Sequence, residues 1–100
     1  MNDDKFIFNL KLNVFELFKP SAARKNLKKL NLIDVEAKVN PLYMLSERKP
    51  SFEEIIAAIE SLEGNGYLSK VWTEDLEYWN MNETGEKALQ DLSHGEEIQL

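Results

Sequence analysis

Five cations fall within one short stretch: Lys19, Arg24, Lys25, Lys28 and Lys29. On a helix, Arg24/Lys28 and Lys25/Lys29 stand four residues apart on one face, and like charges so placed oppose the helix by about 0.2–0.5 kcal/mol per pair. Local stability therefore does not account for them. A cationic face of this kind can hold nucleic-acid phosphates or an acidic protein surface. The plainer alternative is a solvated helix face, or one docked on the acids of the chain's own second half.

The acids collect further along. Glu53, Glu54, Glu60 and Glu63 lie in one helical run, and Glu74, Asp75 and Glu77 cluster around a turn. Glu53, Glu54, Glu60, Glu74 and Asp75 together make a candidate acidic interaction face, whose chemistry suits a basic partner and repels a polyanion. The Glu74-Asp75-Leu76-Glu77 stretch lacks the alternating ligands and internal glycine of a calcium loop, so no metal site is expected there. The single histidine, His94, sits in a polar stretch without a cysteine or a paired nucleophile, which gives no basis for a catalytic constellation. Neither a Gly-x-x-x-x-Gly-Lys phosphate cradle nor a dinucleotide fingerprint is present, and no cofactor is expected.

Charge is distributed unevenly about a net of −6. Residues 1–50 hold ten Lys or Arg against six acids, whereas residues 51–100 hold two against twelve. The two halves either dock on each other or present an oriented field to a partner. With 43% hydrophobic residues in 100, the chain suffices for one core. The absence of cysteine removes disulfides and thiolate sites and fits a cytoplasmic setting. The apolar start, Phe6 to Phe18, is interrupted by Asn9, Lys11, Asn13 and Glu16. That is too polar and too short for a membrane span, so it is assigned to the core.

These residues must be positioned by a small set of elements. Over Ser51 to Leu62, the apolar residues Phe52, Ile55, Ile56, Ile59 and Leu62 recur at steps of three and four, which predicts an amphipathic helix. Ser51 with Glu54 reads as its capping box, and Gly64-Asn65-Gly66 as its end. Tyr67 to Trp72 and Leu76 to Met81 read as a hairpin about Thr73-Glu74-Asp75. Asn82 caps a last helix with Gly85, Ala88, Leu89 and Leu92 on one face, and Ser93 to Leu100 reads as a polar flexible tail. The chain is thus expected to be one domain over residues 1–92 with a tail over 93–100.

The first half is more ambiguous. Phe8, Leu10, Leu12 and Val14 alternate like a strand, while Ile7, Leu10, Val14, Leu17 and Phe18 fit a helix, which is preferred. A second helix starts near Pro20 with Ala23, Leu27 and Leu30 inside. The alternation of Ile33, Val35, Ala37 and Val39 with charged residues predicts a short strand, and Asn40-Pro41 opens a short helix over Leu42 to Ser46. The aromatics Phe6, Phe8, Phe15 and Phe18 belong to the core or to a seam between two copies, so a homodimer is one expectation.

The second half resembles winged helix-turn-helix domains. The resemblance rests on Leu62-Glu63-Gly64-Asn65-Gly66-Tyr67-Leu68, on Trp79, and on Asn82-Glu83-Thr84-Gly85-Glu86-Lys87-Ala88-Leu89. It implies an α+β, mainly helical domain with a small antiparallel hairpin as the wing. Such domains bind DNA, RNA or protein, and fold alone does not choose among them. One departure bears on the choice. The helix that would enter a DNA groove offers Glu53, Glu54, Ala57, Ala58, Glu60 and Ser61 outward, without the Arg, Lys, Asn or Gln that reads bases. The preferred expectation is therefore a non-catalytic regulatory module that meets another protein through its acidic surface. The alternative is a small DNA-binding regulator using the cations at 19–29.

Overall fold

The computed structural model describes residues 2–19 and 29–100. Helix α1 (Asn2–Leu17) settles the ambiguity of the apolar start. Leu10, Val14, Phe15 and Phe18 are wholly buried, whereas Phe8, which a strand would have placed beside Leu10, is 45% exposed. Spacings of three and four bury one stripe of a 3.6-residue period, and alternation would not. Asp3 and Asp4 occupy the first turn, where negative charge meets the positive end of the helix dipole. The proposed seam of four aromatics is reduced accordingly: Phe15 and Phe18 are core residues, Phe6 is half-buried and Phe8 alone faces out.

The expected helix from Pro20 lies outside the described residues, except that Leu30 belongs to a two-residue strand, β1 (Lys29–Leu30). The strand expected over Ile33 to Val39 is instead helix α2 (Leu32–Val39). Its start is a reciprocal cap: the Asp34 amide donates to Asn31 Oδ1 at 2.7 Å and the Asn31 amide to Asp34 Oδ2 at 3.2 Å. Val35 and Val39, one helical turn apart, are buried, and Ile33 is 69% exposed. The alternation of apolar residues was real but half of it faces water. A 3₁₀ turn over Asn40–Tyr43 follows, shorter than the helix expected there. It seats the buried Tyr43 ring 5.7 Å from Phe6, with the hydroxyl accepting from Asn13 at 2.8 Å.

Helix α3 (Phe52–Gly64) carries the anticipated cap, with the Glu54 amide donating to Ser51 Oγ at 3.2 Å and the Ser51 amide to Glu54 Oε1 at 2.9 Å. It ends in a Schellman motif. The Tyr67 amide reaches back to the Leu62 carbonyl and the Gly66 amide to that of Glu63, with Gly66 at φ +84°, a left-handed value that glycine adopts without a Cβ clash. Ile55, Ala58, Ile59 and Leu62 are the buried stripe; Ala58, expected outside, is inside.

Strands β2 (Leu68–Thr73) and β3 (Leu76–Met81) form the antiparallel hairpin, and β1 pairs on the other side of β3, giving the order β1-β3-β2. Leu68, Trp79 and Met81 close the core over α3, and the Tyr67 ring stacks on Phe15 at 5.3 Å. Helix α4 (Glu83–Ser93) is capped by Asn82, whose Oδ1 accepts from the Gly85 amide. The arrangement is an α+β winged helix, mainly helical, with the hairpin as wing.

The last residues lie against the body of the protein, in place of the expected flexible tail. Leu100 is buried and Ile98 packs on the core. Lys11 Nζ and Ser61 Oγ both donate to the Leu100 main-chain oxygen, at 3.1 and 2.8 Å, and Asn65 donates to that of Gln99 at 3.4 Å. Two apolar side chains in a polar run are enough to dock it.

Gly85 explains one glycine of the winged-helix pattern. A Cβ at this buried position would overlap the Tyr67 carbonyl oxygen and press on the Met81 side chain. Gly85→Ala is therefore expected to destabilise the fold by about 1–3 kcal/mol, the range of overpacked cores, read as a lowered urea midpoint. The hairpin carries an opposite opportunity: Glu74 sits at φ 55°, a left-handed conformation that costs a residue with a Cβ about 1–2 kcal/mol. Glu74→Gly should raise Tm, and an unchanged or lower Tm would show that the turn is not strained.

Candidate functional site

The face of α3 that the core does not use is a narrow stripe. Glu53, Ala57, Glu60 and Gly64 are exposed, at intervals of four, three and four residues, and Phe52, expected on the apolar stripe, is 41% exposed at the helix start, where its turn lies beyond the core. Glu53 and Glu60 therefore stand in solvent on the side a winged helix turns outward. Glu74 and Asp75 are exposed at the tip of the wing. Four of the five residues of the candidate acidic face thus point outward from α3 and the wing.

Glu54 is the exception. Its carboxylate closes the α3 cap and also meets Arg48 Nη2 at 2.9 Å. The Ser51 amide donating to it, with smaller help from the Arg48 guanidinium and the Ser51 hydroxyl, holds its carboxyl below the ordinary carboxylate range, although partial burial opposes this. Arg48 also lies 3.8 Å from Asp3 and stacks over Phe6, 3.7 Å from the ring centroid. One guanidinium thus ties the starts of α1 and α3 together. Glu54 is structural, and the face available for recognition loses it.

Arg24, Lys25 and Lys28 lie outside the described residues. Lys19 and Lys29, which bracket them, are both exposed. Lys29 Nζ sits 5.0 Å from the Tyr78 ring centroid on the face of the sheet away from Trp79. Among the described residues, Arg48–Glu54 is the single ion pair that joins the basic half to the acidic one, so general docking of one half on the other is not what these residues do.

A groove of about 270 Å³ runs between α3 and the wing, which sequence reading missed because it forms only when the hairpin folds beside the helix. Its floor is apolar, made by Leu32, Ile56, Ile59 and Trp79, and carboxylates of Glu60, Glu63 and Glu77 stand along it. Lys70 crosses it, 3.8 Å from Glu77 and 5.7 Å from the Trp79 ring centroid. The Trp79 indole donates to Glu63 Oε1 at 3.2 Å. A wider depression of about 910 Å³ between the end of α1 and α4 is lined by Glu16, Glu83 and Glu86 together with Lys19 and Lys87. Among the described residues no group of acids and histidine is arranged to hold a metal ion, and no helix is long and apolar enough to cross a membrane. His94 is an exposed residue at the end of α4.

No family model and no curated protein matches the chain in sequence. In structure it is similar to TubR, a type III plasmid segregation protein, with a TM-score of 0.60 over 99% of this chain and 93% of that one, at 12% sequence identity. The likeness covers both halves, including the first, for which the residues suggested no relative. At that identity it is a likeness of fold.

The charge on Glu54 contributes stability with a defined pH dependence. A depressed folded-state pKa means a contribution present above the unfolded pKa and lost as pH falls through the folded one. Glu54→Gln keeps an accepting oxygen for the cap but removes the charge. It should lower Tm at neutral pH, and the difference from the unmodified protein should shrink below pH about 4, the ordinary glutamate value. A constant difference across that range would mean the charge is not what Arg48 and Ser51 hold.

Proposed function

We propose that the chain is a non-catalytic DNA-binding module that grips phosphates through the cations at 19–29. The observation that carries this reading is the fold: nearly the whole chain matches a plasmid segregation protein, and the cargo of plasmid segregation is a DNA molecule. The cations supply the attraction. DNA affinity rests largely on neutralised phosphates and released counterions, and Lys19, Arg24, Lys25, Lys28 and Lys29 are the densest positive charge in the sequence.

The same reading sets its own limits on specificity. Sequence is read in the major groove mainly by Arg on guanine and by Asn or Gln on adenine. The outward stripe of α3 has none of these, and Glu53 and Glu60 on it repel the duplex. Binding is therefore expected through backbone contacts, with α3 and the wing turned from the DNA. That leaves the acidic surface for something else. A second reading, a regulatory contact between this surface and a basic protein, is supported by the exposure of Glu53, Glu60, Glu74 and Asp75.

A titration with random-sequence duplex DNA tests the first reading. Log K should fall linearly with log salt, with a slope on the order of −4 if all five cations neutralise phosphates. Charge reversal at Lys25 and Lys28 should remove most of the binding. Absence of binding at low salt, or binding that survives the reversal, would overturn it.

A further inference from the structure

The α3–wing groove combines features that together select a ligand. Its volume falls just short of the range of about 300–1,000 Å³ usual for small-molecule pockets, so it suits one or two side chains better than a cofactor. Its floor is apolar with one aromatic ring, and its charged groups are three carboxylates and one ammonium. The protein itself shows what such a place accepts, because Lys70 already lies over Trp79 with its ammonium toward Glu77. Aromatic face plus carboxylate is the environment of a partly desolvated cation.

The internal lysine does not use up the site. Among the described residues Glu60 forms no ion pair, and Glu63 is engaged only by a neutral indole. Beyond Lys70, Trp72 follows two residues along β2, hence on the same face of the sheet, opposite Glu77 in register. It is 65% exposed, a large aromatic surface left in water across the hairpin from Glu77. Glu53 on the same helix and Glu74 and Asp75 at the wing tip are exposed and add to the negative field of α3 and the wing. A polyanion is excluded by that field, and the carboxylates do not gather into a metal site among the described residues.

We propose that this groove is the docking site for an arginine-bearing segment of a protein partner. The proposal rests on the second reading above, and gives it a place and a chemistry. Arginine is preferred to lysine because its planar guanidinium stacks on an aromatic face while its edge donates to carboxylates. The side chain's methylenes lie on Ile56 and Trp79, its guanidinium meets Glu60, and a neighbouring arginine of the same segment stacks on Trp72. Phosphate contacts at 19–29 and an arginine-bearing partner on α3 and the wing would let one small chain connect DNA to a basic protein.

The test uses the full chain and a fluorescein-labelled arginine–serine repeat peptide at about 0.15 M ionic strength, where long-range attraction is largely screened. Anisotropy should report binding and tryptophan emission should shift, whereas the same peptide with citrulline for arginine should not bind. Glu60→Gln with Glu77→Gln should weaken binding about tenfold or more, in line with loss of partners to a desolvated charge. Glu60→Gln alone, which disturbs no ion pair among the described residues, should account for part of that loss without altering the fold. Trp72→Ala should weaken it several-fold, and Glu83→Gln with Glu86→Gln on α4 should not. Equal loss from the α4 pair, or equal binding of the citrulline peptide, overturns the groove while leaving an acidic-surface contact standing. No binding of the arginine peptide overturns both. Duplex-DNA affinity of the Glu60 and Glu77 variants, expected to be undiminished, reports separately on the phosphate reading.

Discussion

Burial of one face of α3 constrains everything outward of it. Ile55, Ala58, Ile59 and Leu62 are removed from water between α1 and the sheet, and full burial of each isoleucine or leucine side chain is worth about 1.5–3 kcal/mol. A rotation of the helix that hid Glu53 or Glu60 would expose those side chains and strand carboxylates in an apolar core. The orientation of α3 is thus set by its apolar stripe, and the acids face solvent because no other arrangement leaves both sets satisfied. The caps at Ser51 and Gly66 then fix where the helix starts and where the chain turns into the wing.

From that orientation a tension follows between architecture and charge. The winged-helix fold turns the unburied face of α3 outward, and the likeness in fold to a plasmid segregation protein covers nearly the whole chain. Yet α3 and the wing are anionic, with Lys70 their one cation. The densest positive charge of the sequence lies at 19–29, ahead of and at the start of β1. In the sequence the two charges are thus divided, cations gathered at 19–29 and acids on α3 and the wing.

Among the described residues, Arg48 makes two of the three ion pairs. It reaches Asp3, Glu54 and the Phe6 ring, and so joins the long connection after α2 to the starts of α1 and α3. Exposed pairs contribute little individually. A guanidinium stacked on a half-buried ring and bonded to a capping carboxylate is a more constrained object, and it holds the entry to α3 in register with α1.

Much of the second half was legible in the chain itself. Ser51 and Glu54, the three- and four-residue spacing of the isoleucines, Gly66, and the aromatic strands announce the α3–hairpin unit, because caps, turns and amphipathic stripes are written in neighbouring residues. The winged-helix pattern followed from the same local signals. In the first half local signals conflicted. Alternation suggested a strand across Ile33 to Val39, and the Asn31–Asp34 cap decided for helix once Val35 and Val39 had a core to enter. Tertiary structure alone determined that Ala58 is inside, that Ile98 and Leu100 bring the last residues back onto α1 and α3, that Glu54 is bound to Arg48, and that Trp79, Lys70 and the acids of α3 line one groove. Each of these depends on which element lies opposite, and residues far apart in sequence carry no record of that until the core brings them together.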